Sequence, residues 1–224
     1  MRVVMIGATG LVGSLIADRL LAEERFEEVH AVTRRASGRR HARWRDHVAP
    51  AGDWPDIAGA IKAEAAVSAL GTTMRAAGGE AGFRAVDLDM VTAFARAAAG
   101  AGAQHMLTVS SVGADPGSRS FYLRIKAEME LELRKLGVPR LDVLRPGLLR
   151  GPRGGERRWG ERIGIALSPL VNIALRGPLD RYAAIDAAKV ADAAVAYLRE
   201  VGSGHFVHEN RDMLRQARKK PQRR

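Results

Sequence analysis

The residues whose types and spacing could do chemistry together are Ser111, Tyr122 and Lys126. Tyr122 and Lys126 are four apart, which puts them on one face if the stretch is helical. A phenol of ordinary pKa about 10 is a poor proton donor at neutral pH until a nearby cation lowers it, and Lys126 can supply that field. Carbonyl reduction needs such a donor as hydride arrives. Ser111 lies just past an apolar, β-branched run, Met106 to Ser110, where its hydroxyl can bond the substrate oxygen that gathers negative charge. Lys126 can also hold the ribose hydroxyls of a nicotinamide cofactor. In isolation the Tyr-Lys pair also fits an ordinary helix with a buried aromatic and a solvated lysine; the Ser, Tyr and Lys taken together favour the catalytic reading.

A second constellation, Gly7-Ala-Thr-Gly10-Leu-Val-Gly13, follows an apolar run and opens a helical pattern, the setting a dinucleotide fingerprint requires. Gly7 permits the tight turn, Gly10 lets backbone approach a pyrophosphate, and Gly13 lets helix and strand lie close. The backbone of Thr9, Gly10, Leu11, Val12 and Gly13 then faces the anion, since the first turn of a helix has unpaired N–H groups. Where an NAD site would carry an acid at the end of the second strand, this chain has Thr33-Arg34-Arg35. Two guanidiniums suit a 2′-phosphate, so NADP(H) is expected in preference to NAD(H). The other reading of Arg34 and Arg35 is a solvated loop that runs on through Arg39, Arg40, Arg43 and Arg45. Leu70, Gly71 and Thr72 close a further strand at the edge where the cofactor would lie. Asp53 is a candidate acceptor for the adenine amino group, with a simple turn as the alternative.

The elements that must position these groups alternate. Arg2 to Ile6, Val29 to Thr33, Ala66 to Leu70, Met106 to Ser110 and Leu141 to Leu144 read as buried strands. Leu11 to Glu24, Phe83 to Ala99, Phe121 to Leu136 and Ala187 to Arg199 have helical periodicity, with His205 to His208 as a last strand. Alternation of this kind specifies an α/β fold, a doubly wound parallel sheet flanked by helices. One NAD(P)-binding Rossmann domain over 1–210 is expected. It includes a substrate-side segment at about 151–184, rich in Gly and Pro, with a short helix around Ile163 to Ala174.

At 224 residues, with 46% hydrophobic and 27% charged residues, the chain is ordinary for one globular domain. The absence of cysteine excludes disulfides and thiolate chemistry, and a cytoplasmic location is expected from it. The N-terminus reads as a first strand rather than a signal peptide, and no apolar run is long enough to span a membrane. The six histidines show no metal-ligand spacing, so no metal is expected. The net charge of +11 gathers partly in 211–224, where seven Lys or Arg stand against one acid. That stretch is expected to be a basic, disordered tail.

The glycine turn, Leu-Gly-Thr-Thr, Val-Ser-Ser-Val-Gly-Ala-Asp, Tyr122-x-x-x-Lys126 and Leu-Arg-Pro-Gly-Leu-Leu together resemble the short-chain dehydrogenase/reductase superfamily. The likeness is to its atypical branch, which contains the HIV Tat-interacting oxidoreductase, and it covers roughly residues 1–150. The resemblance implies that Ser111, Tyr122 and Lys126 are the catalytic trio and that Pro146 and Gly147 flank the nicotinamide. The chain departs from the pattern in having no Asn between residues 1 and 171, so the relay Asn of many members is absent and Asp87 falls in its place. The expected function is an NADP(H)-dependent oxidoreductase acting on a small carbonyl or alcohol; the alternative is an NADPH-sensing regulatory protein with little turnover. The expected partner is a small-molecule substrate, with no membrane, no nucleic acid beyond weak contact by the tail, and a homo-oligomer left open.

Overall fold

The computed structural model describes residues 1–151 and 181–218. The short helix expected around Ile163 to Ala174 lies outside the described residues. Seven strands, β1 (Arg2–Ile6), β2 (Glu28–Thr33), β3 (Trp44–Val48), β4 (Ala65–Ser68), β5 (His105–Val109), β6 (Arg140–Leu144) and β9 (Gly204–His208), form one parallel sheet. Their spatial order is β3-β2-β1-β4-β5-β6-β9. A separate parallel pair, β7 (Leu149–Arg150) with β8 (Ile185–Asp186), joins the two ends of the substrate-side segment. The central strands are apolar throughout because both faces are covered: Val3, Val4, Met5 and Ile6 have no solvent exposure.

Among the described residues the helices are α1 (Leu11–Ala22), α2 (Trp54–Ala60), α3 (Glu80–Arg84), α4 (Val91–Gly100), α5 (Phe121–Lys135), α6 (Ala187–Leu198) and α7 (Asn210–Gln216). Val3 and Met5 of β1 point into a core shared with α1, α6 and Met213 of α7. Val4 and Ile6 point into the opposite core, formed with α2 to α5. This is the doubly wound arrangement expected. The order reverses between β1 and β4, and the crevice at their carboxyl ends is where such sheets bind ligands.

Three features differ from expectation. Strand β3 is an edge strand in which only Trp44 is buried, so no apolar run in the sequence announces it. The helix expected over Phe83 to Ala99 starts at Glu80 and passes through a π turn at Ala85–Met90. The tail expected to be disordered from 211 is ordered further than that, because α7 occupies Asn210–Gln216. Met213 has no exposure, and Gln216 Nε2 donates to Glu200 Oε1 at 2.6 Å. Arg211 and Arg215 lie on the solvent side of α7 and hide its amphipathic character in the sequence.

One buried polar cluster ties β5, β6 and β9 together on the α6 side. Asp142, without solvent exposure, accepts from Arg140 Nε at 2.6 Å, His105 Nε2 at 2.6 Å and His208 Nε2 at 2.7 Å. Burial alone would push the Asp142 carboxyl up, but the hydrogen bonds from His105, His208 and Arg140 outweigh it and hold the group well below the usual carboxylate range. Its contribution to stability is therefore complete above the unfolded carboxylate pKa of about 3.9 and is lost as pH falls toward the depressed folded value. Asp142→Asn leaves Arg140 without its buried counter-charge and should lower unfolding stability by about 3 kcal/mol at neutral pH. Urea midpoints measured across pH check this: the gap between wild type and variant should narrow on acidification below about pH 4.

Candidate cofactor and active site

The glycine turn is built by close backbone contact. Gly7 has φ +79°, and a Cβ placed there would lie 2.3 Å from the Ala69 carbonyl carbon and 2.4 Å from Leu70 N. A Cβ on Gly13 would lie 2.0 Å from Gly7 O. The first turn of α1 thus sits directly on the β1 exit, and the β1 exit on the end of β4. Gly10 N donates to Gly7 O at 3.0 Å and closes the turn, while a Cβ on Gly10 would meet nothing nearer than Gly7 O at 3.4 Å. No side chain caps α1, so the N–H groups of Leu11, Val12 and Gly13 keep their donor capacity at the edge of the sheet. Thr9 and Gly10 are exposed there, and Leu70 and Gly71 border the same opening. The contacts of Gly7 with Ala69 and Leu70 bring together the two stretches that the sequence nominated separately. A glycine-lined turn with free first-turn amides fits a pyrophosphate.

Tyr122 and Lys126 occupy successive turns of α5 and face the α3–π segment. The Tyr122 ring lies 5.3 Å from that of Phe83, and Lys126 Nζ lies 2.7 Å from Asp87 Oδ1. Phe83 and Asp87 repeat the four-residue spacing of Tyr122 and Lys126, so the two helices meet in matching rungs. Asp87 Oδ2 accepts from Thr72 N at 2.8 Å, which joins the π turn to the end of β4. The Cβ position of Gly71 is 3.9 Å from Lys126 Nζ, so the lysine ends beneath Gly71, just past β4 at the carboxyl edge of the sheet. Ser111 is half-buried, and among the described residues its hydroxyl makes only a 3.4 Å contact with Val112 O. Val112 N donates to Pro146 O at 3.0 Å, which ties the Ser111 turn to the loop after β6.

Several positioning residues were not read from the sequence. Glu130, one turn beyond Lys126, is buried and takes a short hydrogen bond from Ser110 Oγ and two from Arg145 Nε at 3.0 and 3.2 Å. These bonds hold the Arg145 guanidinium above its ordinary range and lock α5 to the carboxyl ends of β5 and β6. The spacing Tyr122-Lys126-Glu130 signals this residue, but its partners come from strand ends that only the topology brings together. Asn210 of α7 accepts from Gly147 N at 2.9 Å and donates to Ala183 O at 2.7 Å. It thereby clamps the Pro146-Gly147 loop to the returning end of the substrate-side segment.

Arg34 and Arg35 are exposed just past β2, the strand beside β1, and neither has an ion pair among the described residues. Thr33 Oγ1 donates to Arg35 O at 2.9 Å and shapes that turn. Arg39, not singled out for the cofactor, folds back onto α1 through Asp18 and donates to Ser14 O at 2.8 Å. Asp53 is exposed at the end of a single 3-10 turn, and its side chain makes no cap bond to α2.

A parallel sheet with a glycine turn at its switch point is the doubly wound arrangement of a dinucleotide-binding protein. The chain belongs to the NAD(P)H-binding family, whose model matches residues 7–200. It is 34% identical to Protein FMP52, mitochondrial, of Meyerozyma guilliermondii, over 87% of this chain and 84% of that one. It is 32% identical to the Aspergillus niger protein of the same name, over 86% and 85%. Among solved structures it is similar to the Bordetella bronchiseptica enzyme WbmH in complex with NAD+, with a TM-score of 0.66 and 18% identity over 93% of this chain and 75% of that one. It is also similar to DesIV, a dTDP-glucose 4,6-dehydratase from Streptomyces venezuelae, with a TM-score of 0.69 and 18% identity over 97% and 80%. At such identities the likeness is one of fold. The expected cytoplasmic location is overturned by the relatives, which are named mitochondrial. A cysteine-free composition excludes disulfides but carries no address.

Two glycine variants separate the jobs of the turn. Gly13→Ala should lower unfolding stability by about 1–3 kcal/mol, because its Cβ meets rigid backbone. Gly10→Ala should leave stability nearly unchanged but weaken NAD(P)H binding by more than about tenfold, because its Cβ enters the space a pyrophosphate needs. Denaturation midpoints and nucleotide fluorescence titrations check both.

Proposed function

We propose that the chain is an NADP(H)-dependent oxidoreductase that moves hydride to or from a small carbonyl or alcohol. Tyr122 is the acid/base, Lys126 tunes it and holds the cofactor ribose, and Ser111 orients the substrate oxygen. The observation that carries this reading is the approach of Lys126 Nζ to within 3.9 Å of the Cβ position of Gly71, at the strand end that borders the glycine turn. The face of α5 that bears Tyr122 thus abuts the dinucleotide cradle.

When bound, the reduced nicotinamide supplies the hydride. The chain's own residues do the rest. The first-turn amides of α1 bind the pyrophosphate, and Pro146 and Gly147, held by Val112 and Asn210, wall the nicotinamide end. Ser111 Oγ donates to the carbonyl oxygen as negative charge builds, and Tyr122 delivers the proton to that oxygen.

The preference for NADP(H) rests on the absence of an acid after Thr33 and on two exposed guanidiniums, Arg34 and Arg35, without ion-pair partners among the described residues. The structural neighbours named above were solved with NAD, at identities that do not carry cofactor choice. Changing Arg34 and Arg35 together to Ala should weaken NADPH binding by roughly 10- to 100-fold and leave NADH binding nearly unchanged. Tighter binding of NADH by the wild type would reverse the assignment. With a panel of aldehydes, ketones and quinones, Tyr122→Phe should cut NADPH oxidation by roughly a hundredfold or more. Saturable NADPH binding with no turnover of any panel member would favour a sensing role instead.

A further inference from the structure

The Asp87 carboxylate is an unusual neighbour for a lysine assigned to activate a tyrosine. Asp87 and Lys126 side chains are 1% and 5% exposed, and Oδ1 to Nζ is 2.7 Å. Among the described residues Oδ1 has no aligned hydrogen-bond donor and is answered by the Lys126 ammonium, while Oδ2 is engaged by Thr72 N. The π turn at Ala85–Met90 carries this aspartate inward beneath Gly71, and π turns recur where a helix serves a site.

A buried cation gains much of its reach from low local dielectric, and a carboxylate in contact with it cancels most of that reach. We propose that Asp87 is a positioning residue that fixes Lys126 beneath Gly71 and offsets part of its charge, so that Lys126 tunes Tyr122 with a reduced field and not with that of a lone ammonium. This rests on the assignment of Tyr122 and Lys126 above and adds to it a counter-charge that sets the pH range of the tyrosine.

Of the other charged groups on elements packed against α5, Glu80 of α3 is exposed to solvent and the rest are engaged elsewhere. Asp89 of the π turn lies 4.0 Å from Arg84, which also pairs with Glu128 at 2.7 Å. Arg96 of α4 acts on Glu132. Arg140 and Asp142 of β6 pair with each other on the far face of the sheet, and Arg145 is held by Glu130. Asp87 is thus the carboxylate whose removal changes the field along the Tyr122–Lys126 face.

The test is an ultraviolet tyrosinate titration of the full chain, with the Tyr122→Phe chain subtracted to isolate Tyr122. It needs neither cofactor nor substrate. Asp87→Asn keeps an acceptor for Thr72 N and removes the charge, so Tyr122 should titrate about one pH unit lower than in wild type. Lys126→Gln leaves the carboxylate alone, so Tyr122 should titrate above the ordinary phenol value of about 10. The second variant decides the matter if the first does not fold, and circular dichroism checks both. An unchanged titration in folded Asp87→Asn, or a Tyr122 value at or below the ordinary one in folded Lys126→Gln, overturns the proposal. A chain that binds no nicotinamide dinucleotide would defeat the oxidoreductase reading and leave the titration result standing.

Discussion

The approach of three backbone segments at the carboxyl end of β1 is the constraint on which the site depends. Gly7 sits against the Ala69–Leu70 peptide and Gly13 against the Gly7 carbonyl, with no side chain between them. Any Cβ at these two positions would drive α1 away from the sheet or β1 away from β4. With the segments in contact, the unpaired amides of α1 and the exposed edge at Gly71 face one crevice. Wider separation would leave a helix start and a strand end that share no ligand.

That contact organises the half of the sheet that would receive the dinucleotide. The other half is organised by buried polar braces, because its site residues come from α5 and from the turns after β5 and β6, which are distant in sequence. Glu130 joins all three by accepting from Ser110 and Arg145. Asp142 does the equivalent lower in the sheet by gathering Arg140, His105 and His208. Such braces add little net stability over an apolar core but tolerate only one register, since a slip would bury unpaired charge. Ser111 and the first turn of α5, which carries Tyr122, are half-buried, so a fixed register beneath them is what holds their geometry.

The parts of this fold legible in the sequence are those specified locally. The glycine turn, the apolar central strands and the α5 periodicity each depend on neighbours within a few residues. β3 was faint because an edge strand with one buried side chain has no apolar run, and the π turn was invisible because its residues look like ordinary helix. Helix α7 was mistaken for tail because net charge dominated the reading while Met213 and Gln216 carry the packing. In the site, Asp87 was singled out as the occupant of an Asn position, but its contact with Lys126 requires two helices to meet in matching rungs. Glu130 and Asn210 were missed for the same reason: each answers groups brought close by strand order, not by chain distance.

Charge within the described residues is divided unevenly around the crevice. Lys126 is paired with Asp87, Arg145 with Glu130, Arg140 with Asp142 and Arg39 with Asp18. Arg34 and Arg35, at the mouth beyond β2, have no such partner. Paired cations produce short-range fields, whereas unpaired exposed ones act out to about a Debye length, near 8 Å at physiological ionic strength. An anionic ligand approaching that side of the sheet edge is therefore drawn to the end where Arg34 and Arg35 stand, while the paired Lys126 beneath Gly71 adds little attraction of its own. On the reading proposed here this favours a dinucleotide that docks its phosphorylated adenosine at the mouth, with its nicotinamide directed by the walls of the crevice and not by net charge.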